Sequence, residues 1–512
     1  MTADREVRNP LGTDGGFRHT RVVLPDVETC YRAVASRDPR FDGRFFTGVL
    51  TTGIYCRPVC PAQVPRAENV RFYGSAAAAA AAGFRACRRC RPESIPGSRQ
   101  WDARADLAGR ALQLIASGVT DNGGVGAVAD RLHVSERHLH RVLIAEVGAG
   151  PLALARTRRA QTARLLLDET DLPMSDVAFA SGFASVRQFN DTIRAEFGAA
   201  PSALRAARRP ADLRADPGSL VLRLRHRPPY DVASVVDFFR DRAVDGLEDV
   251  DGQTLTRYVC APHGPARIEA TPGSSFVRVR IAPRSLEDLP VAVAAVRRMF
   301  DLDADPAAVA AALGNDPLLG ASVRARPGML VPAWSDGFEL LVRAVLGQRV
   351  SVASARASAG RLIAEHGEQV VNGAGGPVTH VFPTPAVLAE AVLPNLPVRL
   401  ATTVRTVARA VAEGSLDLDV GTDREATTAQ LLGIAGIGPW TTQYVAMRAW
   451  GDPDAFPDTD LILRRVMARA GVDADAWRPW RAYAAMHVWA SPELGTAPDR
   501  EIQPEETKEL AS

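Results

Sequence analysis

The spacing of apolar residues changes character along this chain, and each change marks a different kind of element. The alanine run at 76–82 reads as a helix, because alanine has the highest intrinsic helix propensity. After the breaker-rich stretch RPESIPGSRQ, the next hundred residues, ending near Arg209, keep helical spacing. From about Leu220 the alternation in LVLRLRHRPPYD and SSFVRVRIAP predicts strands, and from Leu330 long alanine-rich helices return. No apolar run is long enough for a membrane span, and the opening MTADREVRNP is charged with no apolar stretch behind it. Neither a span nor a signal peptide is expected, which predicts a soluble, non-secreted protein without a membrane partner.

Two segments of the helical hundred share a layout: VGAVADRLHVSERHLHRVLIAEVGAGP and MSDVAFASGFASVRQFNDTIRAEFGAAP. Each sets an apolar helix before a tight turn and starts a second helix near Ser135 or Ser185. Each then closes on a glycine and a proline, Gly148 and Pro151 or Gly198 and Pro201. Paired helix-turn-helix motifs are built this way, with each second helix entering a major groove. The candidate groove residues are Arg137, His138, Arg141, Arg187 and Gln188, which carry donors for base edges or phosphates. Arg158, Arg159 and Arg164 on the connecting helix are either phosphate contacts or its solvated face.

Length and charge sharpen this picture. At 512 residues the chain holds about three domains. Its net charge of +2 conceals a split near residue 210: 30 basic against 21 acidic residues before it, 31 against 38 after it. A basic front half suits a polyanionic partner. All the basic residues are arginine except Lys508.

Four of the six cysteines form two pairs, Cys56 and Cys60 in GIYCRPVC and Cys87 and Cys90 in CRRC. That spacing suits a tetrahedral four-sulfur zinc site, while disulfides are the competing use of the same thiols. In a reducing compartment the metal is favoured, and by spacing alone it would only staple a small fold. Cys30 and Cys260 stand apart and read as buried or idle thiols.

The blocks TTGIYCRPVC and GFRACRRC, within residues 27–95, closely resemble the zinc domain of the Ada family of adaptive-response regulators. The resemblance implies that Cys56 is both a zinc ligand and the nucleophile that takes a methyl group from an alkylated DNA phosphate. The chemistry is coherent, because zinc keeps a thiol deprotonated at neutral pH and no separate base is needed. Methylation of one sulfur takes the cluster from −2 to −1. One charge about 8 Å from a phosphate, at an effective dielectric of ~20, is worth roughly 2 kcal/mol, or about 30-fold in affinity. Methyl transfer is therefore expected to switch on DNA binding by removing repulsion.

The block SGFASVRQFNDTIRAEFGAAPSALR resembles the second motif of AraC-type regulators, within a likeness over residues 105–207. Further on, LLGIAGIGPWTTQYVAMRAW reads as a helix-hairpin-helix whose Gly436 and Gly438 let backbone N–H groups approach a DNA phosphate. About 20 residues later comes FPDTDLILRR. Together with RPPYDVASVVDFFRDRAV, LGQRVSVASARA and RPWRAYAAMHVW, these blocks are similar to class II 3-methyladenine-DNA glycosylases of the AlkA family over residues 220–492. Counting without gaps from Trp450, the likeness puts the catalytic carboxylate on Asp460. A register anchored on the following Leu-Ile pair would put Thr459 there. Asp460 is preferred, because only a carboxylate supplies charge to an oxocarbenium-like sugar.

The same likeness places Trp440, Tyr444 and Trp489 at the base pocket, where each favourable ring contact is worth about 0.5 to 2 kcal/mol to a cationic base, and Gln348 reads as either a base-pocket or a DNA-facing residue. Trp477 and Trp480 read as core. Two positions depart from the family pattern. Arg349 stands where an apolar wedge is expected to fill the gap left by the flipped base, and Ala490 replaces a tyrosine beside Trp489. Bifunctional relatives carry a lysine nucleophile where this chain has Trp440, so a monofunctional glycosylase is expected. No block matches the second methyltransferase of Ada, so repair of O6-methylguanine is not expected.

The expected architecture is multidomain α+β. A flexible stretch at 1–26 precedes a small four-cysteine zinc domain at 27–99 and an all-α double helix-turn-helix domain at 100–209. A glycosylase follows, with a small β-rich subdomain at 210–325 and a helix-hairpin-helix part at 326–495, before a tail at 496–512. The partners implied are Zn2+, double-stranded DNA in alkylated and promoter form, and RNA polymerase. The competing reading is a zinc-stapled transcription regulator whose glycosylase-like half only binds DNA.

Overall fold

The computed structural model describes residues 26–37, 45–73, 76–87, 89–90, 92, 103–207, 218–370 and 376–491. Lys508 and both expected terminal tails lie outside the described residues. The chain divides into two compact units, Met1–Asp106 and Leu107–Ser512.

In the first unit a four-stranded sheet runs in the order Val70–Tyr73, Phe46–Val49, Ile54–Cys56, Arg85–Ala86. Helix Val27–Ser36 is started by Asp26, whose carboxylate accepts from the Thr29 N–H. Neighbouring phenylalanines serve opposite faces of the sheet, as the two-residue period of a strand requires. Phe45 packs with Cys30, Ala33 and Val34, whereas Phe46 packs with Tyr55 and Ala79 of helix Ala76–Ala81. Both clusters are small, so this unit depends on a further crosslink for stability.

The second unit opens with seven helices in the repeated layout read from the sequence. Ser135 and Ser185 cap helices Glu136–Val147 and Val186–Phe197, accepting from the His138 and Gln188 N–H groups. Gly148 and Gly198 end them in the left-handed conformation, and Pro151 and Pro201 start the next helices. Then comes an antiparallel five-stranded sheet ordered Leu220–Arg225, Phe276–Ala282, Ala266–Pro272, Thr254–Val259, Glu248–Asp251. Helices Val232–Arg242 and Leu289–Met299 bury their apolar residues in the core beside it.

The remaining helices carry the candidate site, chiefly Gly337–Leu346, Arg424–Leu432, Pro439–Arg448, Leu461–Ala470 and Arg481–Trp489. The first helix-turn-helix half keeps its own core around Leu114, Leu139 and Leu143. The second half does not: Leu166, Phe189 and Ile193 belong to one buried cluster with Leu222, Val279 and Trp450. Glu169 pairs with Arg223 at 2.8 Å, and Arg110 donates to the Gly421 carbonyl at 2.9 Å, so helix-turn-helix and glycosylase-like parts are bonded together as well as packed.

Candidate functional site

Strand pairing explains how distant cysteines meet. Arg85–Ala86 pairs parallel with Ile54–Tyr55, and the Cys87 N–H donates to the Tyr55 carbonyl at 3.0 Å, so Cys87 emerges beside Cys56. Cys60 is held by a turn in which its N–H donates to the Arg57 carbonyl. The four sulfurs lie within 4.8 Å of one another, with Cys60 and Cys87 at 3.9 Å. A tetrahedron with bonds of about 2.3 Å has edges of about 3.8 Å, so the donor set fits zinc. Cys60, Cys87 and Cys90 are buried and Cys56 is not. The Arg57 N–H also donates to the Cys90 sulfur at 3.4 Å. Cys56 is thus the least buried of the four cysteines.

On the helix-turn-helix part, Arg137, Arg141, Arg187 and Gln188 are exposed and His138 is half-buried. The Arg141 guanidinium lies 3.0 Å from the His138 Nδ1, and Gln188 accepts from the Ala184 N–H. Arg158 and Arg159 are not a solvated face. Both pair with Asp121, which is 11% exposed, and Arg159 Nε reaches its carboxylate at 2.7 Å. Arg164 is committed to Asp168 at 2.8 Å.

In the C-terminal helices, Gly433 to Gly438 turn the chain between Arg424–Leu432 and Pro439–Arg448. Gly436 has φ +93, and a Cβ there would meet the Thr403 Oγ1 at 2.3 Å. Gly438 sits at the N-cap of Pro439–Arg448. The turn therefore presents backbone at the start of a helix, where N–H groups have no helical partner.

Asp460 caps helix Leu461–Ala470, accepting from the Ile462 and Leu463 N–H groups at 3.0 and 3.1 Å. Its carboxylate also accepts from the Trp440 indole at 3.0 Å and the Trp489 indole at 3.1 Å. Four N–H donors converge on one side chain, within the acceptor capacity of its two oxygens. Tyr444 stacks on Trp440 with ring centres 4.9 Å apart and planes 10° apart. Asp458 and Thr459 are exposed and make none of these contacts. Trp477 is buried and donates to Asp316 at 2.9 Å, as a core residue should. A cavity of about 1240 Å³ reaches from Arg158 and Arg298 to Trp450, but none of Trp440, Tyr444, Asp460 and Trp489 lines it.

Comparison with known proteins places these parts together. A family model described as the metal binding domain of Ada matches residues 29–93, a helix-turn-helix domain matches 128–207, and the AlkA N-terminal domain matches 221–336. Over 479 residues the chain is 46% identical to the "Probable bifunctional transcriptional activator/DNA repair enzyme AlkA" of Mycobacterium tuberculosis, covering 91% of this chain and 96% of that one. The chain belongs to this AlkA-type bifunctional family. Its halves also match separately. It is 36% identical over 280 residues to DNA-3-methyladenine glycosylase 2 of Escherichia coli, covering 52% of this chain and 95% of that protein. It is 40% identical over 134 residues to the Escherichia coli Ada protein, covering 26% of this chain and 36% of that protein. The Ada-type match and the sulfur geometry together assign the four cysteines to zinc.

In this AlkA-type chain some site residues carry no signal in the sequence. Gln348, read there as a base-pocket or DNA-facing residue, donates its amide to the Gly436 carbonyl at 3.0 Å and the Thr441 hydroxyl at 2.9 Å. It braces the hairpin turn. The next residue, Arg349, is exposed with φ +58, followed by the exposed Val350. Arg448 and Arg242 lie behind Tyr444, and nothing in the sequence marks either of them as a cation set against that ring.

Proposed function

We propose that the chain senses and repairs alkylated DNA at two centres. The methyl of a DNA methylphosphotriester passes to Cys56: the S–C bond forms, the C–O bond breaks, and the phosphate leaves as a diester anion. Bound zinc supplies thiolate character to all four sulfurs. Burial of the other three directs attack to Cys56, and the neutralised sulfur relieves repulsion toward DNA. Sequence-specific binding through Arg137, His138, Arg141, Arg187 and Gln188 then recruits RNA polymerase in the bacterial cytoplasm. Among the described residues no helix is long and apolar enough to cross a membrane.

The second centre excises alkylated purines of the 3-methyladenine and 7-methylguanine type by hydrolysis. The C1′–N bond breaks with its electron pair leaving on the base, and Asp460 stabilises the sugar cation until water adds. Trp440, Tyr444 and Trp489 hold the base, and Gly436 and Gly438 anchor the neighbouring phosphate. Arg349 fills the gap in the stack. The observation that carries this reading is the junction of Asp460 with the Trp440 and Trp489 indoles.

One experiment tests both centres. The protein is incubated with methyl-labelled duplex DNA, and free base and protein-bound label are counted separately. Label on Cys56 together with released methylpurine is expected. A protein that binds such DNA and releases no base overturns the enzymatic half and leaves the DNA-binding scaffold.

A further inference from the structure

Trp440, Tyr444 and Arg448 occupy positions i, i+4 and i+8 of one helix and so share a face. Asp460 touches the Trp440 end of this row. At the other end the Arg448 guanidinium lies 5.4 Å from the Tyr444 ring centre and 4.3 Å from that of Phe238. Arg448 is 1% exposed, and its hydrogen bonds go to the Pro332 carbonyl at 2.5 Å, the Met486 sulfur at 3.0 Å and the Tyr444 hydroxyl. Among the described residues no carboxylate lies within ion-pair distance of it, and the buried Asp301 acts on its charge only from further away. Arg242 lies 4.4 Å from the same Phe238 ring and donates to the Tyr444 hydroxyl. A buried cation without a paired anion is costly. Burial lowers the Arg448 guanidinium to about 10, which still leaves it charged at neutral pH.

We propose that Arg448, backed by Arg242, sets a positive potential behind the base pocket that promotes departure of the base as its bond to the sugar breaks. When the C1′–N bond opens, the electron pair moves onto the base, so its charge falls by one. A cationic alkylpurine becomes neutral, and repulsion from Arg448 present before the step disappears after it. Asp460 favours the same step from the sugar side, so the electron pair moves away from the carboxylate and toward the guanidinium. Arg448 touches neither base nor sugar in this scheme and acts as a positioning residue through the field it sets across Tyr444. The inference rests on the excision activity proposed above.

Full loss of one charge about 8 Å from another, at an effective dielectric of ~20, corresponds to about 30-fold, and loss of half of it in the transition state to about five-fold. The test compares Arg448→Met, Arg448→Lys and Arg242→Met in single-turnover and steady-state excision of 7-methylguanine from duplex DNA. Arg448→Met is expected to lower kcat about five-fold and to lower KM as well, because the ground-state repulsion is removed, and Arg448→Lys restores both. A purely structural role leaves KM unchanged or raises it, which overturns the proposal. If Arg448→Met does not fold, Arg242→Met carries the same expected split, and its absence there overturns the proposal equally. Wild-type protein that excises no base overturns the glycosylase reading first, whereas active wild type with unchanged variants overturns the charge argument alone.

Discussion

Trp489 reaches back 29 residues along the chain to donate its indole N–H to Asp460 at 3.1 Å, at the opposite carboxylate oxygen to the one Trp440 uses. The two rings thereby fix the carboxylate in rotation as well as position. Asp460→Asn keeps the size of the side chain, removes its charge and confronts two indole donors with an amide donor. Release of methylpurine is expected to fall about a thousand-fold or more while duplex binding persists. Trp489→Phe keeps a ring and loses one charge-assisted bond, and is expected to cost about ten- to a hundred-fold. Single-turnover base release on methylated duplex measures both.

The least buried of the four cysteines makes a separate prediction. Cys56→Ala removes the half-buried ligand and leaves the buried Cys60, Cys87 and Cys90, whereas Cys87→Ala removes a buried one. Cys56→Ala is expected to keep zinc with reduced affinity and to take up no label from methylphosphotriester DNA. Cys87→Ala, or treatment with a strong chelator, is expected to lose zinc and unfold the first unit, whose apolar clusters are too small to stand alone. Metal content and near-UV circular dichroism distinguish the two outcomes.

Much of this was legible in the sequence, for identifiable reasons. The Ser135 and Ser185 caps and the Gly148 and Gly198 stops obey local rules, so the two turn-linked helix pairs follow from neighbouring residues alone. The alternation of Leu220–Arg225 and Phe276–Ala282 is equally local. What the sequence did not disclose depends on residues far apart. Arg158 and Arg159 look like surface cations on a helix, and only the fold brings Asp121 against them. Gln348 and Gly436 stand 88 residues apart, so no spacing rule predicts that one braces the other.

Gly436→Ala tests the hairpin. A methyl group there meets the Thr403 hydroxyl at 2.3 Å, and φ +93 disfavours any side chain. The variant is expected to lose about 1–3 kcal/mol of stability and to bind duplex DNA more weakly. Thr403→Ala in the same chain relieves the collision and leaves the backbone strain, so it is expected to recover only part of the loss. Chemical denaturation and a binding titration check both statements.

A four-charge network joins the sheet to the helix that leads to Gln348. Arg257 bonds Glu248 and Glu339 at 2.6 Å each, and Arg343 bonds the same two carboxylates at 3.0 Å. None of the four side chains is more than 10% exposed. The network is neutral as a whole, so loss of one member strands an unpaired charge. Arg257→Met is expected to destabilise the protein by about 3–5 kcal/mol, with little dependence on salt because the groups are screened from solvent. Urea denaturation at low and high ionic strength measures both terms.

Asp301 predicts how stability changes with pH. Its carboxyl is buried, and burial pushes it up to about 7 although the Val331 N–H and the Tyr483 hydroxyl donate to it and act in the opposite sense. In the unfolded chain the same group titrates near 3.8. Between these values the folded state holds the proton more tightly than the unfolded state, so this group's contribution to stability falls as pH rises from about 4 to about 7 and stays low above that. A difference of about three pH units corresponds to about 4 kcal/mol. Asp301→Asn keeps an oxygen for both donors, tolerates the left-handed backbone at φ +49, and carries no charge at any pH. The variant is therefore expected to be more stable than the parent at pH 8 and to show a much smaller advantage at pH 4.5. Denaturation curves at the two pH values give the comparison, and an advantage that does not grow with pH would mean that Asp301 is not the group that titrates.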